Sequence, residues 1–170
     1  MSLYSKKVME HFRNPKNVGK IKNPDSSGAA GNIRCGDIMR LYLKIGRNKS
    51  GQEIIKDIKY ETYGCVVAIA NTSLLTTMVK GKSLDRALKV TREDLIRKLG
   101  EVPPAKIHCS LLAVDALTEA IYDYFVKQKR EIPEELQKKH ERTAKDRDEI
   151  SHRHSELVEL EEKAHKKAMR

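Results

Sequence analysis

Cys35, Cys65 and Cys109 are the three cysteines of the chain. Two of them have a polar neighbour of matching chemistry: Asp37 in IRCGDIM and His108 in KIHCS. Thiolates bind soft metals and attack sulfur. Three thiolates with a carboxylate or an imidazole suit zinc or an iron–sulfur cluster. Other readings stand beside this one. A free cysteine is most often a small buried hydrophobe, Asp37 can be a turn or strand-cap carboxylate, and His108 can simply start a helix. No CxxC pair is present, so spacing alone does not choose between metal site, nucleophile with its base, and ordinary residues.

The elements that would position these residues can be read from periodicity. Tyr4, Val8, Met9 and Phe12 predict a helix over 4–12, stopped at Asn14-Pro15 because the residue before proline leaves the α region. Residues 15–34 are turn-rich, a loop or a loop ending in a short strand. Met39, Leu41, Leu43 and Ile45 share one face of a strand over 38–45. Ile54, Ile58 and Tyr60 do so over 54–62, and RNKSGQE joins the two as a hairpin. Arg40, Lys44, Asp57, Lys59 and Glu61 form its water-facing side.

Helices follow over 66–79, ended by Gly81, over 84–89, capped by Ser83, and over 92–99, opened by a Thr91 capping box and closed by Gly100. Pro103-Pro104 predicts an extended segment before a long helix over 108–128. This order predicts an α+β fold, a small antiparallel meander with helices packed on one side. Cys35 then starts a strand while Cys65 and Cys109 open helices, where N–H groups and the dipole lower thiol pKa values. Such ends can converge at one end of the domain. Gly36 and Gly64 flank two of the cysteines, where backbone can approach a ligand closely.

The chain divides into a domain over 1–130 and a charged helical tail over 131–170. In the tail Leu136, Thr143, Ile150, Leu157 and Ala164 recur every seven residues. Their companion positions are mostly charged, so a solvated helix docked along a thin stripe fits better than a coiled coil. His11, His140, His152, His154 and His165 read as solvated helix residues. The net charge of +10 lies wholly in 1–130, which suits an acidic protein partner or nucleic acid. Scattered charges without aromatic stacking argue against nucleic acid. No apolar run has the length of a membrane span, the N-terminus lacks a signal-peptide core, and an odd number of dispersed cysteines builds no disulfide framework. A protein of a reducing compartment, cytoplasmic, is expected.

Four segments in order, YSKKVMEHFRNPKNVG, CGDIMRLYLKI, TYGCVVAIANTSLLTTMVKGKSLDRA and VPPAKIHCSLLAVDAL, closely resemble the IscU / NifU N-terminal family over about residues 4–128. The resemblance implies a scaffold for iron–sulfur cluster assembly, a non-enzyme that passes its cluster to apo-proteins. It implies Cys35, Cys65 and Cys109 as cluster ligands, Asp37 at the cluster edge and His108 as an alternative ligand. It also implies a cysteine desulfurase donating sulfur as a persulfide, with Cys109 the acceptor. The cluster expected is [2Fe–2S], with zinc in the cluster-free form. Val102-Pro103-Pro104-Ala105-Lys106 stands where the family's chaperone-recognition segment reads LPPVK, so an Hsp70-type chaperone is a further partner to test. The choice between monomer and homodimer is left open. Two alternatives use other logic: a structural zinc protein with the same ligands, and a basic nucleic-acid-binding module.

Overall fold

Ser5 accepts a hydrogen bond from Val8 N at 3.1 Å and so caps the first helix, α1 (Lys6–Arg13). In the computed structural model, which describes residues 4–31, 36–100, 102–145, 148, 149 and 152, three strands follow. They are β1 (Ser26–Gly31), β2 (Ile38–Arg47) and β3 (Glu53–Tyr63), paired antiparallel in the order β1-β2-β3. The meander is the one predicted, and β1 is the short strand at the end of the turn-rich region.

One face of the sheet is covered. Met39, Leu41 and Leu43 of β2 and Ile58 and Tyr60 of β3 are buried. Ile55 takes the core position expected for Ile54, which is only half-buried. The cause is a register shift between Lys44 and Ile45: Lys44 pairs with Asp57 and Ile45 with Ile55, so Lys56 becomes the extra residue of a bulge. One extra residue exchanges the faces of everything before it.

Two long helices pack on the covered face, α2 (Val66–Val79) and α5 (His108–Lys127). The short helices α3 (Leu84–Leu88) and α4 (Arg92–Leu99) lie between them in sequence. Ser83 caps α3, and Thr91 forms a capping box with Asp94 on α4, as their residue types predict. The contact of α5 with β1 is close. A Cβ built on Gly28 would stand 2.1 Å from the backbone N of Ala120, so only glycine lets the helix lie on that strand. The outer edge of β3 is protected by chain outside the sheet. Tyr60 bonds to Asn17 and Gly19, and Ile55 to Gly81 and Lys82, which removes free edge groups.

The Pro103-Pro104 segment is extended only at Pro103. Pro104–Lys106 forms a 3-10 turn, because a proline with fixed φ fits the first position of a helical turn. After α5, a helix over 134–145 (α6) lies on α5. Leu136 joins the core and Thr143 is buried, giving two members of the seven-residue stripe. Ile150, Leu157 and Ala164 lie outside the described residues.

Two histidines expected in solvent are engaged instead. His140 Nδ1 lies 3.0 Å from both carboxylate oxygens of buried Glu119, and its ring stacks on Tyr122 at 3.7 Å. His11 Nδ1 pairs with Ser73 Oγ at 2.8 Å. Partners on neighbouring helices, invisible in a helical wheel, account for both. Among the described residues no helix is long and apolar enough to cross a membrane.

Candidate metal centre

Three element starts meet at one end of the sheet. Asp37 precedes β2, Cys65 is the N-cap of α2, and Cys109 is the second residue of α5. The sulfurs of Cys65 and Cys109 are 3.5 Å apart, and the Cys109 thiol donates to Asp37 Oδ2 at 3.4 Å. One donor atom from each of the three residues lies within 4.8 Å of the others. Asp37 and Cys109 are buried while Cys65 is half-buried, so the group opens to the surface on the Cys65 side.

Glycine shapes the chain on both sides of this cluster. Gly36 has φ +69°, a left-handed turn that brings the chain into Asp37. At Gly64 an added Cβ would meet Ala68 Cβ at 3.0 Å and Asp37 Cγ at 3.2 Å, so its bareness makes room for the carboxylate. The close backbone approach expected at both glycines is found at Gly64, while Gly36 has nothing within 4 Å and supplies the turn instead.

The thiols share one proton unequally. Cys65 is lowered from 9.0 to about 6, chiefly by the hydrogen bond from Cys109 and further by the Ala68 and Val67 N–H groups; burial and the Asp37 charge oppose this. Cys109 is pushed far up by its hydrogen bond to Cys65, by burial, and by the charges of Cys65 and Asp37. In this arrangement Cys65 is the thiolate and Cys109 holds the proton between two acceptors. The helix start that was expected to activate Cys109 is outweighed by its burial and by the negative charge beside it.

His108 stands at the start of α5 but outside the three-donor group. Its Nε2 is buried and, among the described residues, has no hydrogen-bond partner. Cys35 lies outside the described residues. In the Val102–Lys106 segment Val102 packs against the core while Pro104 and Ala105 are exposed. Ile38 and Tyr63 face each other across the β2–β3 ladder, next in sequence to Asp37 and Gly64, and are 56% and 82% exposed. That apolar pair at the rim was not foreseen, because a strand-end residue gives no sign of which way it faces. Two thiols and a carboxylate form a mixed soft and hard donor set able to hold zinc or iron and to leave coordination positions open.

Comparison with known proteins extends this picture. Residues 3–131 match the family model described as "NifU-like N terminal domain". The Archaeoglobus fulgidus protein named iron-sulfur cluster assembly scaffold protein IscU 1 is 50% identical over 125 residues, covering 74% of this chain and 78% of the relative. Escherichia coli (strain K12) IscU, a protein of the same description, is 50% identical over 131 residues, 75% of this chain and 97% of that protein. Two solved structures share the fold. A NifU-like N-terminal protein from Brucella abortus has a TM-score of 0.58 at 22% identity, covering 74% of this chain and 96% of that one. A putative SUF-system scaffold from Fervidobacterium islandicum has 0.56 at 23%, covering 70% and 96%. The match to the family model and these identities agree with the geometry, and the chain belongs to the NifU-like N-terminal domain family.

Proposed function

We propose that this chain is a scaffold on which iron and persulfide-derived sulfur are assembled into a labile iron–sulfur cluster, which is then passed to apo-proteins. The observation that carries this reading is the convergence of Asp37, Cys65 and Cys109 within 4.8 Å in a chain half-identical to proteins named as such scaffolds. Cys35 completes the thiolate set in this reading, His108 serves as an alternative ligand, and the cluster is [2Fe–2S]. Zinc occupies the same donors when no cluster is present. The scaffold does not itself turn over a small molecule, so it is not an enzyme.

Sulfur arrives from a cysteine desulfurase as a persulfide. The Cys109 proton is held in the closed site by burial and by the negative groups beside it, and it leaves to solvent as a docking partner opens the site and water reaches the thiol. The Cys109 thiolate then attacks the outer sulfur of the donor persulfide. The donor's S–S bond breaks, the donor leaves as a thiolate, and Cys109 carries the persulfide. The exposed Ile38–Tyr63 pair suits a partner seated at the mouth, and the basic excess of 1–130 favours acidic partners. The exposed Pro104-Ala105 turn is the docking point for an Hsp70-type chaperone, and the cytoplasm is the compartment in which the thiols stay reduced.

The test is anaerobic reconstitution with iron, cysteine, a desulfurase and dithiothreitol as electron donor. A brown protein that passes its cluster to an apo-ferredoxin is expected. A protein that stays colourless and retains only zinc overturns the proposal.

A further inference from the structure

The distance between the two thiols is set by how α2 lies along α5, since Cys65 caps the one and Cys109 sits in the first turn of the other. The buried side chains near the metal centre are Val67, Ala68 and Asn71 on α2 and Cys109, Ser110, Leu112 and Ala113 on α5, whereas Ala70 and Ser73 face α1, packing with Val8 and bonding to His11. Apolar contact has no direction of its own, so it fixes the setting of two helices less specifically than a hydrogen bond does. A slide of even part of a turn would separate Cys65 from Cys109.

Among the described residues, one hydrogen bond between two fully buried side chains joins α2 to α5. Asn71 Nδ2 donates to Val67 O at 3.0 Å, which fixes the amide on its own helix, and to Ser110 Oγ at 2.9 Å on the other. Both residues are fully buried. Ser110 directly follows Cys109, and Asn71 lies on the helix that Cys65 caps. Asn71 Oδ1 is buried with no partner among the described residues. An unpaired buried carbonyl opposes folding, and an aliphatic residue of similar shape would avoid it.

We infer that Asn71 and Ser110 are positioning residues for the metal centre: their hydrogen bond is the register pin that holds the Cys65 and Cys109 sulfurs at bonding distance. Neither residue ligates the metal. The pin gives the helix pair one setting, in the way a single buried polar residue fixes register in a coiled coil. This inference rests on the proposed reading for why the spacing matters, but cobalt(II) binding reports the donor geometry whether or not a cluster is ever built.

The experiment is a double-mutant cycle of Asn71→Leu, Ser110→Ala and the pair, in the full chain. It reads cobalt(II) affinity, the thiolate-to-cobalt absorption, and the urea midpoint of the metal-free protein. Each single variant is expected to weaken cobalt binding by about tenfold or more, the scale of lost outer-shell support, and to dim the thiolate band. The double variant is expected to be no worse than the weaker single one. The urea midpoint of Asn71→Leu is expected to hold or rise, so affinity and stability part company, which a merely structural role would not produce. Cobalt affinity unchanged in Ser110→Ala, or affinity losses that follow a falling midpoint, overturn the pin. If Asn71→Leu does not fold, Ser110→Ala decides by the same readings. A parent protein that binds no cobalt overturns the metal-site reading itself, and with it the purpose of the pin.

Discussion

The sulfurs of Cys65 and Cys109 lie 3.5 Å apart although 44 residues separate them in the chain, and the pair divides its protons unevenly. Cys65 is half-buried at a helix N-cap with N–H groups aimed at it. Cys109 is fully buried against a carboxylate. A nucleophile and a proton store therefore stand side by side before any metal or sulfur arrives.

The division gives a pH signature. With its pKa lowered from 9.0 to about 6, Cys65 should react with iodoacetamide half-maximally near pH 6, while Cys109 stays unmodified in the folded protein. The sign for stability follows from the same shift. Between about 6 and 9 the unfolded chain holds a proton on Cys65 that the folded one does not, so stability rises with pH across that window. It is lost as pH falls through about 6. Mass-spectrometric alkylation over a pH series checks the first part, and urea midpoints of parent and Cys65→Ser check the second. Alkylation that begins only near pH 9 would contradict the assignment.

Gly28→Ala should be among the most damaging single changes. Its Cβ would fall 2.1 Å from Ala120 N and 2.5 Å from Ala116 O. These are backbone atoms, so no rotamer change relieves the clash and α5 must lift from β1. A loss of about 3 kcal/mol or more is expected, at the upper end for overpacking. A urea titration measures it, and Gly51→Ala, where nothing lies within 4 Å but φ is +77°, is the comparison that carries left-handed backbone strain without a clash.

The order of elements was legible because apolar spacing and caps agree along the chain. Met39, Leu41 and Leu43 alternate, Thr91 and Asp94 box a helix start, and Gly81 ends one. Strand β1 was only half legible. Its residues, SSGAAG, have weak strand propensity, and the strand forms because small side chains let α5 lie on them. The exchange of Ile55 for Ile54 was hidden for a related reason, since a bulge depends on the partner strand. At the site, Asp37, Cys65 and Cys109 were legible from type and family motif. The direction of proton sharing was not, because it depends on burial and on a neighbour 44 residues away.

The tail helix makes a separate prediction. His140 lies against buried Glu119, and Arg142 reaches Asp115 at 2.7 Å, so α6 shields acidic groups of α5. His140→Ala should lower stability by about 0.5–1.5 kcal/mol, the net worth of a hydrogen bond between side chains. Cobalt binding should persist, because the contacts lie beyond the first turn of α5 that carries Cys109. Loss of cobalt binding in a stable variant would instead tie α6 to the metal centre.

Asp37 should make the cluster easy to surrender. Its oxygen is a poorer match than sulfur for this chemistry, and its charge pushes both thiols up. Asp37→Ala removes the hard donor and makes both thiols easier to ionise at once. The expected result is a longer-lived holo protein and slower transfer to apo-ferredoxin, followed by the decay of visible absorption. Decay at the parent rate or faster would remove this role.

Sulfur delivery separates the two thiols more directly than any equilibrium measurement. Cys65 is the thiolate in the closed site, and its charge holds the proton on Cys109 until the site opens. With the desulfurase present and iron withheld, trapping and peptide mapping should place an added mass of about 32 Da, one sulfur, on Cys109. Cys65→Ser should leave Cys109 as the destination and should not slow the transfer, because it removes the Cys65 charge that pushes the Cys109 thiol up. Cys109→Ser should abolish stable sulfuration, since serine has no sulfur on which the persulfide can form. Sulfur found only on Cys65 in the parent protein would reverse the roles, making Cys109 the proton donor and Cys65 the point of entry.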